Sequence, residues 1–277
     1  MDSTLISIIL PTHGDALFLE RAVKSVQAQT YSIWELIIID DGLTTPKKEL
    51  LKKLIRADSR IRHVEHANNQ GIQQSLNDGL AFAKGSFVAR IDDDDEWTDR
   101  EKLQKQLYFF HEHPEYVLLG TNAVIIDNKG AVLGTYRMPI SDRAIRRRIL
   151  SKNCFLHSTI MMRAFPAQEL GGYPIVEEAR HIEDYALWLQ LGTRGLIANI
   201  DDNTTNLTVH ASSITAQHRI AQVLHMRNLI GRYKRSYSRY ALGYTLLTVR
   251  LIFFRISVVV PLPKKLLYFF QRLYKSL

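Results

Sequence analysis

Two hydrophobic periodicities alternate along the first 120 residues of the chain. Continuous apolar runs at 5–10 (LISIIL), 35–40 (ELIIID), 61–66 (IRHVEH), 86–91 (SFVARI) and 116–121 (YVLLGT) predict buried β-strands. The run at 61–66 is the weakest, because charged residues interleave with its apolar ones. Between these runs, apolar residues recur at helical spacing over 16–28, 46–56, 72–84 and 99–112. Strand–helix–strand alternation predicts an α/β, Rossmann-like fold with a mostly parallel central sheet flanked by helices. Right-handed crossovers set the carboxyl ends of parallel strands along one edge, where open α/β sheets bind ligands. Three polar clusters fall at those ends: PTHG (11–14), DDGLTT (40–45) and DDDD (92–95). One crevice is expected to gather them.

After Thr121 the pattern loosens. AVIIDNKGAVLGTY (123–136) predicts a β-hairpin turning at Asn128-Lys129-Gly130. A basic helix (DRAIRRRIL, 142–150), a strand (HSTIMM, 157–162), a loop (GGYP, 171–174) and a helix (EDYALWLQLG, 183–192) follow. This half is expected to form the far wall of the crevice. The last part, 211–277, is helical in pattern, and Arg250, Arg255, Lys264 and Lys265 interrupt its apolar stretches. It shows no run of the roughly 20 apolar residues that span a bilayer. Leu266, Phe270, Leu273 and Leu277 share one helical face, and Lys264, Gln271, Arg272 and Lys275 share another. A helix lying in a membrane interface has this pattern, and so does a helix packed on a domain with a solvated basic face.

Charge sharpens the division. The formal net charge is +8, yet Asn203–Leu277 holds twelve Lys or Arg and no acid, while residues 1–202 balance at −4. A mildly acidic body with a basic tail points to an anionic surface. The tail's aromatic residues sit within apolar runs rather than as isolated stacking platforms, so nucleic acid is not the expected partner. Cys154 is the single cysteine, so no intrachain disulfide forms and a reducing compartment is expected. The N-terminal apolar run is too short for a signal peptide. The expected location is cytoplasmic, at the inner face of a membrane.

Four consecutive aspartates at the end of a strand need a reason. Like charges about 5 Å apart repel by roughly 3 kcal/mol at an effective dielectric near 20. Open solvent tolerates such a cluster; a hard divalent cation uses it, because Mg²⁺ and Mn²⁺ take carboxylate oxygens beside substrate phosphates. In an extended segment alternate residues face one way, which pairs Asp92 with Asp94 and turns Asp93 and Asp95 elsewhere. The acids of DDGLTT fit a base or ribose contact, and equally an Asp-Gly turn. Glu183 and Asp184 open a helix, where acids are stabilised by the helix dipole, or where one of them serves as a general base.

Taken together, ISIILPTHG, AVKSVQAQTY, ELIIIDDG, the Asn77-Asp78-Gly79 turn, ARIDDDDEW, GGY (171–173) and HIEDYALW resemble glycosyltransferase family 2. The resemblance covers roughly residues 4–215 and rests on the order and spacing of these motifs. It implies a GT-A catalytic domain over 1–210, with a nucleotide-sugar half (1–120) and an acceptor half (121–210), followed by the tail 211–277. It implies an inverting, metal-dependent transfer from a nucleotide sugar, expected to be UDP-linked, to a glycan or lipid-linked acceptor. Pro11, Thr12, Asp40, Asp41, Arg90, Asp92 and Asp93 would line the donor site. Asp94 and Asp92 would hold Mn²⁺ or Mg²⁺, with His210 in TVHASSIT as a further ligand. Asp184 would be the base and Glu183 its neighbour at the acceptor. His13, Gly14 and Leu43 depart from the family's usual residues and leave the donor-base contacts open. A Mg²⁺-dependent phosphatase and a non-enzymatic binder of anionic surfaces are the competing readings.

Overall fold

The computed structural model describes residues 3–14, 16–209 and 217–259. Its strands are β1 (Ile6–Gly14), β2 (Trp34–Leu43), β3 (Ile61–Glu65), β4 (Phe87–Arg90), β5 (Glu96–Trp97), β6 (Tyr116–Ile126), β7 (Val132–Tyr136), β8 (Met161–Arg163) and β9 (Leu196–Thr208). They form one sheet in the order β3-β2-β1-β4-β8-β6-β9-β5, with β7 paired to β6. The helices are α1 (Leu19–Gln27), α2 (Thr45–Ala57), α3 (Ile72–Phe82), α4 (Lys102–Glu112), α5 (Asp142–Arg146), α6 (Ala164–Glu169), α7 (Glu183–Leu191), α8 (Arg219–Leu229) and α9 (Tyr240–Val259).

The sheet is mixed rather than mostly parallel. Parallel pairing joins β3, β2, β1 and β4, and also β6 to β9. The short β8 is inserted antiparallel between β4 and β6, while β7 and β5 pair antiparallel with β6 and β9. The apolar runs are buried on both faces, as strands covered by helices on each side must be. Ile9, Val88, Leu118 and Met162 face one core, shared with α3 and α7. Ile8, Leu10, Ala89, Leu119 and Met161 face the other, shared with α1 and α4. This is the period-2 alternation of a pleated strand.

Three local expectations change. Asn77-Asp78-Gly79 is not a turn but lies inside α3, where a Cβ on Gly79 would meet the Ile9 side chain at 2.5 Å. The glycine is there to let α3 approach β1. The expected hairpin forms, turning about Asn128-Lys129-Gly130 within Asp127–Ala131, but its first strand is not separate: β6 runs unbroken from Tyr116 to Ile126. β9, thirteen residues long, was not expected as a strand.

The C-terminal helices share the main core. Val223, Met226, Leu229 and Ile230 are buried with Trp188 and Leu189 of α7, as are Tyr237, Leu247 and Leu251, and the Tyr237 hydroxyl donates to the Leu189 carbonyl at 2.8 Å. The opposite face of α9 exposes Leu242, Val249, Ile252 and Ile256. Contrary to the sequence expectation, Tyr240–Ser257 is long and apolar enough to cross a membrane by length and composition, with mean hydropathy 1.2. The amphipathic face at Leu266–Leu277 lies outside the described residues. If α9 is integral to the core, Leu247→Ala costs about 2–5 kcal/mol, and urea unfolding of the full chain measures it; an unchanged midpoint means that α9 is a separate appendage.

Candidate active site

The crevice begins at the carboxyl ends of β1 and β2, where Thr12 and Asp40 stand in register. Asp40 Oδ1 accepts from the Gly42 and Leu43 amides at 2.9 and 2.6 Å, an Asx turn that ends β2. Its Oδ2 is buried and makes no hydrogen bond; His63 and Lys48 stand 3.7 and 4.0 Å away. Asp41 has the opposite arrangement. Its carboxylate accepts from the Gln70 amide (2.6 Å), the Gly71 amide (2.8 Å) and His66 Nδ1 (2.8 Å). Burial works to raise its pKa, but those bonds outweigh it and hold the carboxyl below the usual range. Asp41 thereby ties down the loop that leads into α3.

The aspartate run is a tight turn rather than an extended segment, with the Asp95 amide donating to the Asp92 carbonyl at 3.2 Å. The turn breaks the alternation on which the pairing of Asp92 with Asp94 alone depended. Asp92, Asp94 and Asp95 each bring one carboxylate oxygen within 4.8 Å of the others. Asp93 swings back to β1 and accepts from the Thr12 hydroxyl at 2.6 Å. Burial pushes Asp93 up to about 7, and burial together with the charges of Asp92 and Asp94 raises Asp95 well above the ordinary range. Three carboxylates converging at this distance are a donor set suited to a hard divalent cation.

Helix α1 holds this turn. Arg21 donates to the Asp94 carbonyl (2.5 Å) and the Thr208 hydroxyl (2.7 Å). Ser25 Oγ accepts from the Trp97 amide at 3.0 Å. Gln29, just past the helix, bonds the Asp99 carbonyl and the Leu103 amide at 2.9 and 3.1 Å. Positions 21, 25 and 29 are four apart, so one helical face addresses the whole segment after the aspartates. Thr208, at the end of β9, completes the clamp by donating its amide to Asp95 Oδ1 at 2.9 Å. Ser25 and Gln29 lie in AVKSVQAQTY and Arg21 directly precedes it, but nothing in the sequence gives their partners.

Arg90 lies beneath the crevice rather than in it. It is 2 % exposed, and its guanidinium grips both oxygens of Asp92. Ser158 adds a hydrogen bond to the same carboxylate at 3.0 Å. Asp92 is therefore largely engaged before any cation arrives. On the other side, Glu183 and Asp184 occupy the first turn of α7, behind the N-cap residue Ile182. Asp184 Oδ2 accepts from Asn153 Nδ2 at 2.8 Å, and burial raises its pKa. Glu183 Oε2 is buried without a hydrogen bond; burial and then the charge of Asp184 push it up to about 7. Arg90 acts electrostatically on both carboxyls and eases their ionisation.

The wall between the two sides is the GGY loop. Asn77 of α3 accepts from the Tyr173 amide and donates to its carbonyl, at 2.7 and 2.8 Å. Gly172, at φ +77°, makes that approach: a Cβ there would meet the Asn77 side chain at 2.3 Å. His210 lies outside the described residues.

Residues 7–171 match the family model for glycosyl transferase family 2. The chain belongs to glycosyltransferase family 2. It is 33% identical over 192 residues to the putative glycosyltransferase EpsE of Bacillus subtilis (strain 168), covering 69% of this chain and 67% of that one. It is 28% identical over 222 residues to WfgD of Escherichia coli, a UDP-Glc:alpha-D-GlcNAc-diphosphoundecaprenol beta-1,3-glucosyltransferase, covering 80% of this chain and 79% of that one. The fold resembles the mannosyltransferase PcManGT from Pyrobaculum calidifontis, whose structure is in complex with GDP-Man and Mn²⁺. The TM-score is 0.64 at 16% identity, covering 89% of this chain and 68% of that one. A GT-A-like α/β fold and family membership make the chain a sugar transferase, and the phosphatase and non-enzymatic readings fall away.

The raised Asp93 carboxyl carries a pH signature. In the unfolded chain it ionises near the ordinary 3.8, and in the folded chain at about 7. Folding is therefore unpenalised at low pH, loses stability as pH rises between these values, and changes no further above them. In metal-free buffer, Asp93→Asn should be more stable than the parent by about 1–3 kcal/mol at pH 8. The gap should close towards pH 4, as read by urea unfolding; a gap constant with pH refutes the assignment.

Proposed function

We propose that this glycosyltransferase moves a sugar, with inversion, from a UDP-linked donor to a hydroxyl of a lipid-carried glycan in bacterial surface-polysaccharide assembly. The observation that carries the reading is that the aspartate turn and the Glu183–Asp184 pair both lie within the electrostatic reach of the buried Arg90. A donor lying across both has its diphosphate at one pole and its acceptor at the other. WfgD, with its UDP-Glc donor and diphosphoundecaprenol-linked acceptor, supports the substrate class.

The donor end is assigned as follows. Pro11 and Thr12 end the strand against which the nucleotide lies, and the free oxygen of Asp40 is the group for the base. Asp41 shapes this pocket through the Gln70–Gly71 loop, and Asp93 through Thr12. Arg90 sets the carboxylate of Asp92 from below. Asp94 and Asp92, with Asp95 in reach, would hold Mn²⁺ or Mg²⁺; PcManGT, solved with Mn²⁺, supports this. A divalent cation there supplies positive charge to the leaving diphosphate.

At the other pole Asp184 takes the proton of the acceptor hydroxyl as that oxygen attacks the anomeric carbon from the face opposite the diphosphate. Displacement in line turns an α-linked donor into a β-linked product. Asn153 fixes the orientation of the base. Glu183, which still carries its proton over much of the range below pH 7, leaves the negative charge to Asp184 and can donate to the acceptor. Asp184→Asn should lower kcat on the order of 10²–10⁴-fold with little change in donor KM. Asp94→Ala should weaken Mn²⁺ binding to the UDP complex at least about tenfold by calorimetry. A variant Asp184→Asn that turns over at the parental rate removes that residue from the mechanism.

Two features support attachment to the cytoplasmic face of a membrane. The segment from Asn203 onward carries twelve basic residues and no acid, and α9 exposes Val249, Ile252 and Ile256 on one side. Anionic headgroups attract the former, and the acyl boundary accepts the latter. Full-length protein should sediment with phosphatidylglycerol-containing vesicles. Val249→Ser, Ile252→Ser and Ile256→Ser combined should release most of it while leaving the thermal midpoint unchanged; undiminished sedimentation overturns this role.

A further inference from the structure

We propose that His157, supported by Tyr173, is the residue that reads the hydroxyl pattern of the transferred sugar. This deepens the donor reading above and rests on it. Position is the first argument. His157 opens the short 3₁₀ turn before β8 and is half-buried. The next residue, Ser158, is bonded to Asp92, which places His157 against the donor side. Its Nε2 lies 3.0 Å from the Tyr173 hydroxyl. Tyr173 in turn lies within the electrostatic reach of Arg90, Asp184, Glu183 and Asp92. The pair therefore lies near the carboxylates assigned to both poles, with Tyr173 buried behind a His157 that is itself part-exposed.

Rigidity is the second argument. The imidazole packs edge-to-face on Trp188, with centroids 5.6 Å apart, and against the Tyr173 ring at 5.5 Å. Trp188 lies one helical turn beyond Asp184 on α7, so the ring is referenced to the base. Tyr173 is held by the two Asn77 bonds and by the Gly171-Gly172 bend. A sugar-reading group needs this fixity, because epimers differ only in where one hydroxyl points.

Chemistry is the third. Burial and then the charge of Arg90 hold His157 well below the usual imidazole range, so the ring is neutral. A neutral imidazole has one N–H and one acceptor nitrogen. When the Tyr173 O–H donates to Nε2, Nδ1 carries the hydrogen; when Nε2–H donates to Tyr173, Nδ1 accepts. Nδ1 thus answers a sugar hydroxyl in either sense, without bringing a charge into a site already crowded with carboxylates. No step of the transfer mechanism uses this pair.

The test compares UDP with UDP-glucose and UDP-galactose, which differ only at one carbon. For the parent, His157→Ala, His157→Gln and Tyr173→Phe, calorimetry in Mn²⁺ gives binding and donor hydrolysis gives kcat/KM. His157→Ala should leave the Kd for UDP within about twofold. It should lower kcat/KM for the preferred sugar roughly 10–100-fold and flatten the preference between the epimers. His157→Gln, which keeps a donor and an acceptor, should retain part of the preference. Tyr173→Phe should weaken it in the same direction, through loss of orientation. Equal losses for UDP and both sugars, or an unaltered epimer ratio in His157→Ala, overturn the assignment. A parent chain that binds none of the three removes the donor reading and this assignment with it. Intact donor binding that depends on Asp94 but ignores His157→Ala removes this assignment alone.

Discussion

The buried guanidinium of Arg90 is the constraint from which the crevice follows. Four carboxyls, of Asp92, Asp95, Glu183 and Asp184, converge around a position that water reaches poorly. An isolated buried arginine would itself be costly, and an unpaired buried carboxylate equally so. Each makes the other tolerable. By taking both oxygens of Asp92, Arg90 also decides which way the floor of the site faces.

The clamp from α1 is a second layer of the same design. Carboxylates that repel one another move apart unless their backbone is held, and here the backbone of Asp94, Trp97, Asp99 and Leu103 is held from Arg21, Ser25 and Gln29. β9 closes the ring through Thr208. Two elements far apart in sequence, α1 and β9, thus hold one short segment, Asp94–Leu103.

Apart from the two-residue β5, the order of elements up to Glu112 was legible because strands buried on both faces need unbroken apolar runs and the helices between them need a 3.6 period. Even the charged β3 was recoverable from its place between α2 and α3. β9 was not. Its residues Asn203, Thr204, Thr205 and Asn206 look like loop by composition, yet Thr204 and Thr205 are buried because their hydroxyls find partners, Thr204 bonding Thr121 at 2.6 Å. Side-chain pairing across the sheet is invisible in one dimension. The same limit hid the turn in the aspartate run, which depends on Thr12, Ser158 and Thr208 drawing neighbouring acids in different directions. Which residues gather was readable; which of two adjacent acids, Asp40 or Asp41, keeps a free oxygen was not, since that depends on where the Gln70–Gly71 loop settles.

Tyr237, Leu247 and Leu251 lie in one core with Trp188 and Leu189. The helix that presents an oily outer face is therefore rigidly geared to the helix whose first turn carries Glu183 and Asp184. On the proposed reading, a membrane that received α9 would also set the tilt and elevation of the site above it. Acceptors would then be selected by the length of their tether as much as by their sugars, since a hydroxyl presented too near or too far would never come opposite Asp184.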